Sequence, residues 1–195
     1  MFIIEQRTYI VMDYINGVEL TYAEDNLSPV QLQGICSQLK DYITQMRALK
    51  PPNPGRLEAA DGSGLFDIRL ASHPFPPFAS IQEFHARLGH EFVLHSSDHR
   101  DMASDFQMVA QRHYRTTFSH SDIAPRNIII KDGRIAAIVD WESAGWYPEY
   151  WEYTRWAVSN YRSSQIWLDL RDMILDPYPL ELKVDGYLGT VFTRL

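Results

Sequence analysis

The sequence is short of cysteine and of basic residues and has no long apolar run, and each shortage excludes a class of protein. Cys36 is the only cysteine in 195 residues, so no internal disulfide can form, which is typical of a reducing compartment. The 18 Lys and Arg residues against 25 Asp and Glu residues give a net charge of −7, which disfavours nucleic acid or an anionic membrane as a partner. No segment is long and apolar enough to span a bilayer, and the first residues lack a signal-peptide pattern. We therefore expect a cytoplasmic protein.

The composition is 45% hydrophobic and 13% aromatic, which is enough to build the core of one domain or of one large lobe of a bigger enzyme. Residues 9–15 are rich in β-branched and aromatic side chains and precede an Asn-Gly turn, which predicts a buried strand. A Ser-Pro pair then favours the start of an amphipathic helix over 29–49, with Cys36 on its apolar face.

Residues 55–79 carry many Gly, Pro and Ser residues without a clear period, which predicts an ordered loop with short strands. Its apolar anchors are Leu65, Phe66, Ile68, Leu70, Phe75 and Phe78. Ser80 and Glu83 form a capping-box pattern, which predicts the start of a helix. The residues expected on the apolar face of this helix are Phe84, Leu88 and Phe92. A further helix is predicted over about 101–114, another follows the Gly-Trp-Tyr-Pro segment, and the tail 163–195 is expected to hold one helix and an extended segment.

The most informative stretch is residues 120–127, which read His-Ser-Asp-Ile-Ala-Pro-Arg-Asn. Two apolar runs follow it, separated by Lys-Asp-Gly-Arg, and Asp-Gly between apolar runs is a strong signal for a β-hairpin. The second run ends at Asp140, which begins an Asp-Trp-Glu sequence. Because the two ends of a hairpin lie side by side, Asn127 and Asp140 should be close in space.

This arrangement of oxygen-bearing side chains suits phosphoryl transfer to a hydroxyl group. One carboxylate, Asp122, can accept a proton from the attacking hydroxyl. The amide of Asn127 and the carboxylate of Asp140 can hold magnesium on the phosphates of ATP, since magnesium prefers hard oxygen ligands. A lone Asp-x-x-x-x-Asn pattern also arises by chance in loops, and it is the surrounding His, Pro, hairpin and second Asp that make the pattern specific.

The sequence resembles the aminoglycoside phosphotransferase-like, or choline-kinase-like, branch of the protein-kinase-like fold. It is most similar to fungal-type members with His-Gly-Asp-x-x-Pro-Arg-Asn, Asp-Trp-Glu and Gly-Trp-Tyr-Pro-Glu-Tyr-Trp-Glu-Tyr motifs, here residues 120–127, 140–142 and 145–153. The resemblance implies an α+β fold with a mainly helical C-terminal lobe, 21–195, that contains the catalytic-loop β-hairpin. A hinge strand and turn over 1–20 would precede this lobe.

The resemblance also implies roles for individual residues, with ATP as donor and Mg²⁺ as metal. The residues that it assigns to catalysis are Asp122, His120 and Arg126, those that it assigns to magnesium are Asn127 and Asp140, and those that meet adenine in the hinge are Met12, Asp13, Tyr14 and Ile15. Asp122 is the expected base, and His120 is expected to hold the loop backbone rather than to carry a proton. Arg126 suits either a phosphate or a neighbouring carboxylate.

Two features depart from the family pattern. Ser121 stands where the family usually has glycine, which implies some backbone strain. No lysine or glycine precedes the hinge, and the first lysine is Lys40, so most of the N-terminal ATP-binding lobe is expected to be missing. We therefore expect weak binding of Mg-ATP and slow turnover. The apolar residues expected to lie exposed there and to favour self-association are Phe2, Ile3, Ile4, Tyr9, Ile10 and Val11.

The leading interpretation is an ATP-dependent phosphotransferase that acts on a small-molecule hydroxyl. The acidic surface is compatible with a cationic substrate and equally with simple solubility. The alternative is a non-catalytic kinase-like binding or regulatory module, or a truncated fragment with little turnover. A magnesium-dependent hydrolase ranks lower because further acidic ligands are lacking, and a protein kinase is disfavoured because no Asp-Phe-Gly or Ala-Pro-Glu segment is present.

Three further groups of residues are weighed as sites. The zinc candidates are His85, His90, His95, His99, Asp98 and Asp101, but their spacing matches no tight metal motif, and exposed histidines on one helix explain them as well. The aromatic candidates for a cation pocket are Trp141, Trp146, Tyr147, Tyr150, Trp151, Tyr153 and Trp156, with Glu149 and Glu152 as charges, although core packing explains most of them. Glu142 suits an assisting role at the metal, a helix cap or a salt bridge.

Overall fold

The structure is a computed structural model that describes residues 2–5, 7–67, 73–159 and 165–192. Its strands are β1 (Phe2–Ile4), β2 (Arg7–Tyr9), β3 (Val18–Glu19), β4 (Glu58–Ala59), β5 (Thr116–Ser119), β6 (Ile128–Lys131), β7 (Arg134–Ile138) and β8 (Gly145–Pro148). Its α-helices are α1 (Leu20–Ala23), α2 (Pro29–Arg47), α3 (Ile81–Leu88), α4 (His90–His95), α5 (Ala103–Gln111), α6 (Trp151–Ser159), α7 (Gln165–Ile174) and α8 (Pro179–Val191). The strands form three small antiparallel sheets in the order β1-β2, β3-β6-β7 and β4-β8-β5, so the predicted α+β class is confirmed.

The N-terminal segment differs from the prediction of a buried strand over 9–15. Strand β2 ends at Tyr9, which pairs with Phe2, the first residue of β1. The segment beyond is irregular and lies outside the core. The exposed apolar side chains of residues 4–14 are Ile4, Tyr9, Ile10, Val11, Met12 and Tyr14. The predicted buried strand is therefore wrong, while self-association through this surface stays a prediction.

Helix α2 begins and ends close to its predicted bounds because its signals are local. The Ser28 hydroxyl accepts a hydrogen bond from the backbone N–H of Gln31, and the Gln31 side chain accepts one from the backbone N–H of Ser28. This reciprocal capping box fixes the first turn. One face of the helix is buried, and its members are Ile35, Cys36, Leu39 and Ile43. The expected position of Cys36 in the core is thus confirmed.

The predicted catalytic-loop hairpin is formed by β6 and β7. Ile128 pairs with Ile138 at its open end, and Lys131 pairs with Arg134 at its closed end. Asp132 and Gly133 both have positive φ, at 51° and 72°, which is the geometry of a two-residue type I′ turn. Strand β3 pairs with the outer edge of β6, and α2 packs on β7. The hairpin is therefore held from both sides.

A second sheet lies next to the catalytic loop, and the sequence did not indicate its central strand. Strand β8 pairs with β5 on one side and with β4 on the other. The segment 55–79 is an ordered loop, as predicted, with bridges from Leu57 to Phe78 and from Leu65 to Phe75. Leu65, Phe75 and Phe78 are buried, whereas the anchors Ile68 and Leu70 lie outside the described residues.

The helix predicted after Ser80 is shorter than its apolar pattern indicated. The Ser80 hydroxyl accepts a hydrogen bond from the backbone N–H of Glu83, as expected of an N-cap. Gly89, at φ 96°, ends the helix in a left-handed conformation, and α4 starts in a new direction. Phe92 is therefore 53% exposed instead of sharing a buried face with Phe84, so that part of the prediction is wrong. The helix predicted over 101–114 is present as α5.

The described C-terminal residues, 165–192, contain two helices, α7 and α8, so the prediction of a single helix in this part of the chain is wrong. Pro179 starts α8 after a short irregular connection. Helix α6 lies between two apolar clusters, with Trp151 in the first and Trp156 stacked on Trp167 in the second, ring centroids 4.6 Å apart. None of the helices in the described ranges is long and apolar enough to cross a membrane.

Candidate active site

The candidate site lies in the connection between β5 and β6, where residues 120–127 form a loop that ends in a 3₁₀ turn over Pro125–Asn127. His120 and Ser121 are fully buried, and Asp122 is half-buried. Ser121 has φ 68°, which is the left-handed region where glycine is favoured. The strain expected from serine at the position of the family glycine is therefore present in the backbone.

Asp122 is held by two neighbours within the loop. The side-chain nitrogen of Asn127 donates to the backbone carbonyl and to Oδ2 of Asp122, both at 2.8 Å. Nη2 of Arg126 donates to Oδ1 at 2.8 Å and to Oδ2 at 2.6 Å. Of the two roles weighed for Arg126, the structure has the contact with a carboxylate. These bonds fix the carboxylate of Asp122 beside the start of the hairpin.

Asp140 follows the return strand of the hairpin. The backbone N–H of Val139 donates to the carbonyl of Asn127 at 2.9 Å, so the end of the hairpin that leads to Asp140 lies against Asn127, as predicted. Asp140 has φ 67° and an exposed side chain. Within the described part of the chain, its carboxylate makes no hydrogen bond or ion pair. Asp140 thus offers a free anionic ligand at the same end of the hairpin as Asn127.

His120 ties the loop to the hairpin through both ring nitrogens. The backbone N–H of Asp122 donates to Nδ1 at 3.2 Å, so Nε2 carries the ring proton and donates to the carbonyl of Val139 at 3.0 Å. Burial lowers the pKa of His120 below its ordinary value, because the charged imidazolium loses solvation. A neutral ring with both nitrogens bonded to backbone is suited to holding the loop.

The indole ring of Trp141 packs against the imidazole ring of His120. Its indole N–H donates to the carbonyl of Ile138 at 2.8 Å, and the two rings lie 4.5 Å apart between centroids. The indole is 46% exposed, whereas the other aromatic residues weighed for a cation pocket are buried. The group is therefore mostly core, and Trp141 is its exposed member. The adjacent Glu142 side chain is also exposed.

A buried carboxylate on helix α6 also holds the catalytic loop. Glu152 was weighed as a charge for a cation pocket, but it is fully buried, and its Oε2 accepts from the backbone N–H of His120 at 2.7 Å and of Ser121 at 3.3 Å. Burial raises the pKa of Glu152 to about 7, and the two N–H donors oppose that shift. In the sequence Glu152 stands between two aromatic residues, and this pattern by itself does not predict a contact with the catalytic loop.

The oxygen atoms at the hairpin end fit magnesium. Asn127 uses its side-chain N–H groups on Asp122, which leaves Oδ1 as the atom for a cation, and Asp140 supplies an exposed carboxylate. Magnesium usually takes one or two carboxylates, with phosphates and water completing the shell. In the ranges that the structure describes, no group of three or more His, Cys, Asp or Glu side chains could hold a metal on its own.

The histidines weighed as zinc ligands are instead divided between core and surface. His85 and His90 are buried and stacked, with ring centroids 4.4 Å apart and planes within 2°, so they do not face solvent. His95 is exposed and bonds the backbone carbonyl of Glu91, and His99 bonds the hydroxyl of Tyr187.

The fold is similar to that of aminoglycoside phosphotransferases of known structure. Residues 4–178 match the sequence model of the phosphotransferase enzyme family, and the chain belongs to that family. A comparison with curated proteins found no match.

Two solved structures are similar to this chain. One is a thermostable mutant of aminoglycoside phosphotransferase APH(4)-Ia in its apo form, with 15% identity and a TM-score of 0.50 over 92% of this chain and 55% of that chain. The other is a further variant of that mutant in a ternary complex with ADP and hygromycin B, with 13% identity and a TM-score of 0.51 over 81% of this chain and 52% of that chain. The chain therefore spans about half the length of these structures, and identity this low supports the fold alone.

Proposed function

We propose that this chain is the catalytic lobe of an ATP-dependent phosphotransferase that acts on a hydroxyl group of a small molecule. The observation that carries the proposal is the pair of 2.8 Å hydrogen bonds from Asn127 to Asp122, at the end of the hairpin that bears Asp140. Membership of the phosphotransferase family supports it. Phosphoryl transfer depends mainly on positioning and on charge neutralisation, and these three side chains suit both needs.

In this proposal Asp122 accepts the proton of the attacking hydroxyl. Oδ1 of Asn127 and the carboxylate of Asp140 hold magnesium, which neutralises charge on the phosphates when it is bound. His120 keeps the loop against the hairpin as a neutral ring. Arg126 restrains the carboxylate of Asp122 before the substrate arrives, and its half-exposed guanidinium is able to turn toward phosphate.

The nucleotide is proposed to lie against the segment before β3. Met12, Asp13 and Tyr14 are exposed, and Ile15 is half-buried, so this stretch of chain is accessible to an adenine ring. A similar structure contains ADP, which supports ATP as the donor. The division into a hinge segment, 1–20, and a lobe, 21–195, belongs to the same proposal.

The acceptor is proposed to be a small molecule with a hydroxyl group. The similar structure with hygromycin B concerns another enzyme, and it supports testing aminoglycosides alongside amino alcohols and sugars. A net charge of −7 and the exposed indole of Trp141 are compatible with a cationic acceptor. Nucleic acid and membranes are not proposed as partners, and the cytoplasm is proposed as the location.

The test is ADP formation by the purified full chain with Mg-ATP and a panel of these acceptors. Asp122→Asn should abolish acceptor-dependent turnover, because the amide cannot take the proton. Asp132→Asn is the matched control, since Asp132 lies at the far turn of the same hairpin in a left-handed conformation that asparagine tolerates. Equal turnover in the wild type and Asp122→Asn would contradict the proposal.

One observation favours the alternative of a non-catalytic nucleotide-binding module. Both carboxylate oxygens of Asp122 accept hydrogen bonds from Arg126, which therefore competes with an acceptor hydroxyl for the proposed base in this conformation. A module of this kind would bind Mg-ATP, as seen by a rise in melting temperature, without forming ADP with any acceptor. The same panel therefore separates the two functions.

A further inference from the structure

Asn127 and Arg126 hold the Asp122 carboxylate in different ways. The side-chain nitrogen of Asn127 donates to the backbone carbonyl and to Oδ2 of Asp122. Nη2 of Arg126 donates to both carboxylate oxygens, at 2.8 Å to Oδ1 and at 2.6 Å to Oδ2. Each carboxylate oxygen has two lone pairs. The two neighbours therefore fill both acceptor positions of Oδ2 and one of the two positions on Oδ1.

The bonds from Arg126 stand where the substrate must bond. A hydroxyl group passes its proton to a carboxylate only from within hydrogen-bond distance of one of its oxygens. Arg126 takes one position on each oxygen of Asp122, so it competes with the acceptor hydroxyl at both. Asn127 bonds only one of these oxygens and leaves Oδ1 to the hydroxyl. Arg126, and not Asn127, is thus the competitor of the acceptor.

The contact between Arg126 and Asp122 is easily exchanged for another. The guanidinium is half-exposed, so water competes for the pair and holds its strength low. The loss of this contact leaves the two bonds from Asn127 to Asp122 in place. Arg126 is therefore able to leave Asp122 while the carboxylate stays attached to the loop.

The terminal phosphate of ATP is a stronger partner for this guanidinium. A planar guanidinium fits a pair of phosphate oxygens, and the phosphate carries more negative charge than a carboxylate. During transfer the attacking hydroxyl lies within hydrogen-bond distance of Asp122 and about 3–3.5 Å from the γ-phosphorus. The phosphate oxygens then lie within the reach of a side chain that already contacts Asp122.

We propose that Arg126 is a sensor of the terminal phosphate of ATP. It bonds Asp122 before nucleotide binds and moves to the phosphate afterwards, so that the acceptor hydroxyl gains access to Asp122 when the donor is in place. This inference rests on the proposed function and adds an order of binding, nucleotide before acceptor.

The transfer that follows uses the released carboxylate. The hydroxyl oxygen bonds to the γ-phosphorus, and the hydroxyl proton goes to Asp122. The bond from that phosphorus to the β–γ bridging oxygen breaks, and ADP leaves with the electron pair. Because ADP lacks the terminal phosphate, Arg126 returns to Asp122 once the phosphorylated product has left.

The first test compares two nucleotides that differ by the terminal phosphate. Mg-ADP and Mg-AMPPNP, an ATP analogue with nitrogen at the β–γ bridge, are titrated into the purified full chain in a calorimeter. Wild type is measured beside Arg126→Ala and beside Arg126→Lys, which keeps the charge without the planar fork. Arg134→Ala is the matched control, because it removes the same charge from the exposed turn end of the hairpin that follows the loop.

Arg126→Ala should bind Mg-AMPPNP about 5- to 10-fold more weakly than wild type and should bind Mg-ADP no more weakly, because only the longer nucleotide reaches the guanidinium. Arg126→Lys should recover part of the affinity for Mg-AMPPNP, and Arg134→Ala should match wild type. Equal losses for the two nucleotides in Arg126→Ala, or no loss for either, would contradict the sensing role. If Arg126→Ala does not fold, the lysine variant gives the same contrast with a smaller change.

The second test measures the coupling between nucleotide and acceptor. An acceptor that supports ADP formation is titrated into the chain with and without Mg-AMPPNP. In wild type the nucleotide should tighten acceptor binding about 5-fold, since it removes the competitor from Asp122. In Arg126→Ala the acceptor should bind almost equally well in both cases. Coupling of the same size in the two proteins would rule out an order of binding set by Arg126.

The two proposals fail in different ways. A wild-type chain that binds both nucleotides but forms no ADP with any acceptor contradicts the proposed function. A wild-type chain that turns over, together with an Arg126→Ala chain that keeps the wild-type ratio of the two nucleotide affinities, contradicts the sensing role alone. A wild-type chain that binds neither nucleotide contradicts both proposals.

Discussion

Arg126 donates from a single guanidinium nitrogen to both carboxylate oxygens of Asp122, at 2.8 and 2.6 Å. The two residues are four positions apart on a loop that turns tightly at Pro125, so the contact is local. It restrains the carboxylate without burying the pair, since the guanidinium is 48% exposed. The geometry therefore points to an orienting contact rather than to a source of stability.

Arg126→Ala should accordingly change the free energy of unfolding by less than about 1 kcal/mol, because water screens half-exposed ion pairs and ordering long side chains costs entropy. Urea denaturation of the two proteins measures this difference. A loss of several kcal/mol would instead indicate that Arg126 supports the fold of the loop.

Ser121→Gly should stabilise the protein by about 0.5–1 kcal/mol. Glycine relieves the left-handed strain at φ 68° and removes a buried hydroxyl that has no hydrogen-bond partner in the described part of the chain, although its greater freedom in the unfolded chain offsets part of the gain. Ser119→Gly is the matched control, because Ser119 has an equally buried, unpartnered hydroxyl but lies in strand β5. Ser119→Gly should destabilise the protein, because glycine weakens a strand. Melting temperatures that rank Ser119→Gly above Ser121→Gly would contradict the strain argument.

The features that the sequence predicted correctly depend on neighbouring residues. The Asp132-Gly133 turn, the cap at Ser28 and the apolar face of α2 each act within a few positions of the chain. The juxtaposition of Asn127 and Asp140 was predictable for the same reason, since a two-residue turn brings the two ends of a short hairpin together, and the bulge between Ile129 and Ile130 shifts the register by only one residue. These local signals were enough to bring the main candidate site residues together.

The features that were missed depend on distant partners. Residues 9–15 have strand-forming composition, but β2 ends at Tyr9 and the residues that follow it are irregular and exposed. Strand β8 contains a glycine and a proline, which weaken a strand signal, and it is a strand because β4 and β5 lie on either side. The role of Glu152 depends on a loop 32 residues earlier, and its sequence neighbours carry no signal of that contact.

Glu152→Gln should change how stability depends on pH. Burial raises the pKa of Glu152 from 4.5 to about 7, so between these values the folded state binds more protons than the unfolded state. The contribution of Glu152 to stability is therefore fully present below pH 4.5 and is lost as pH rises through 7. The loss amounts to about 3 kcal/mol for a fully buried group. Relative to wild type, the variant should gain stability across this range in urea titrations, and a difference that stays constant with pH would contradict the raised pKa.

The stacked pair His85 and His90 should change the pH dependence of stability in the direction opposite to Glu152. Desolvation lowers the pKa of His85 to about 4 and that of His90 to about 3, with the neighbouring His85 adding to the shift of His90. Below pH 6.5 the unfolded chain binds protons at these histidines that the folded chain does not. The stability that the two neutral histidines contribute is therefore present above pH 6.5 and is lost as pH falls toward 4 and 3. The hydroxyl of Tyr150 lies 2.8 Å from Nε2 of His85, whereas Nδ1 of His90 has no partner in the described residues.

His90→Phe should therefore keep the stacked packing and remove one titrating group. Unfolding curves from pH 4.5 to 7 should show a shallower loss of stability on acidification, by up to about 1.4 kcal/mol per pH unit for the one proton removed. Comparing the variant with wild type at each pH cancels the opposite contribution of Glu152, which is common to both proteins. Parallel curves for the two proteins would mean that His90 has the same pKa in the folded and unfolded states, which would contradict the shift assigned to its burial.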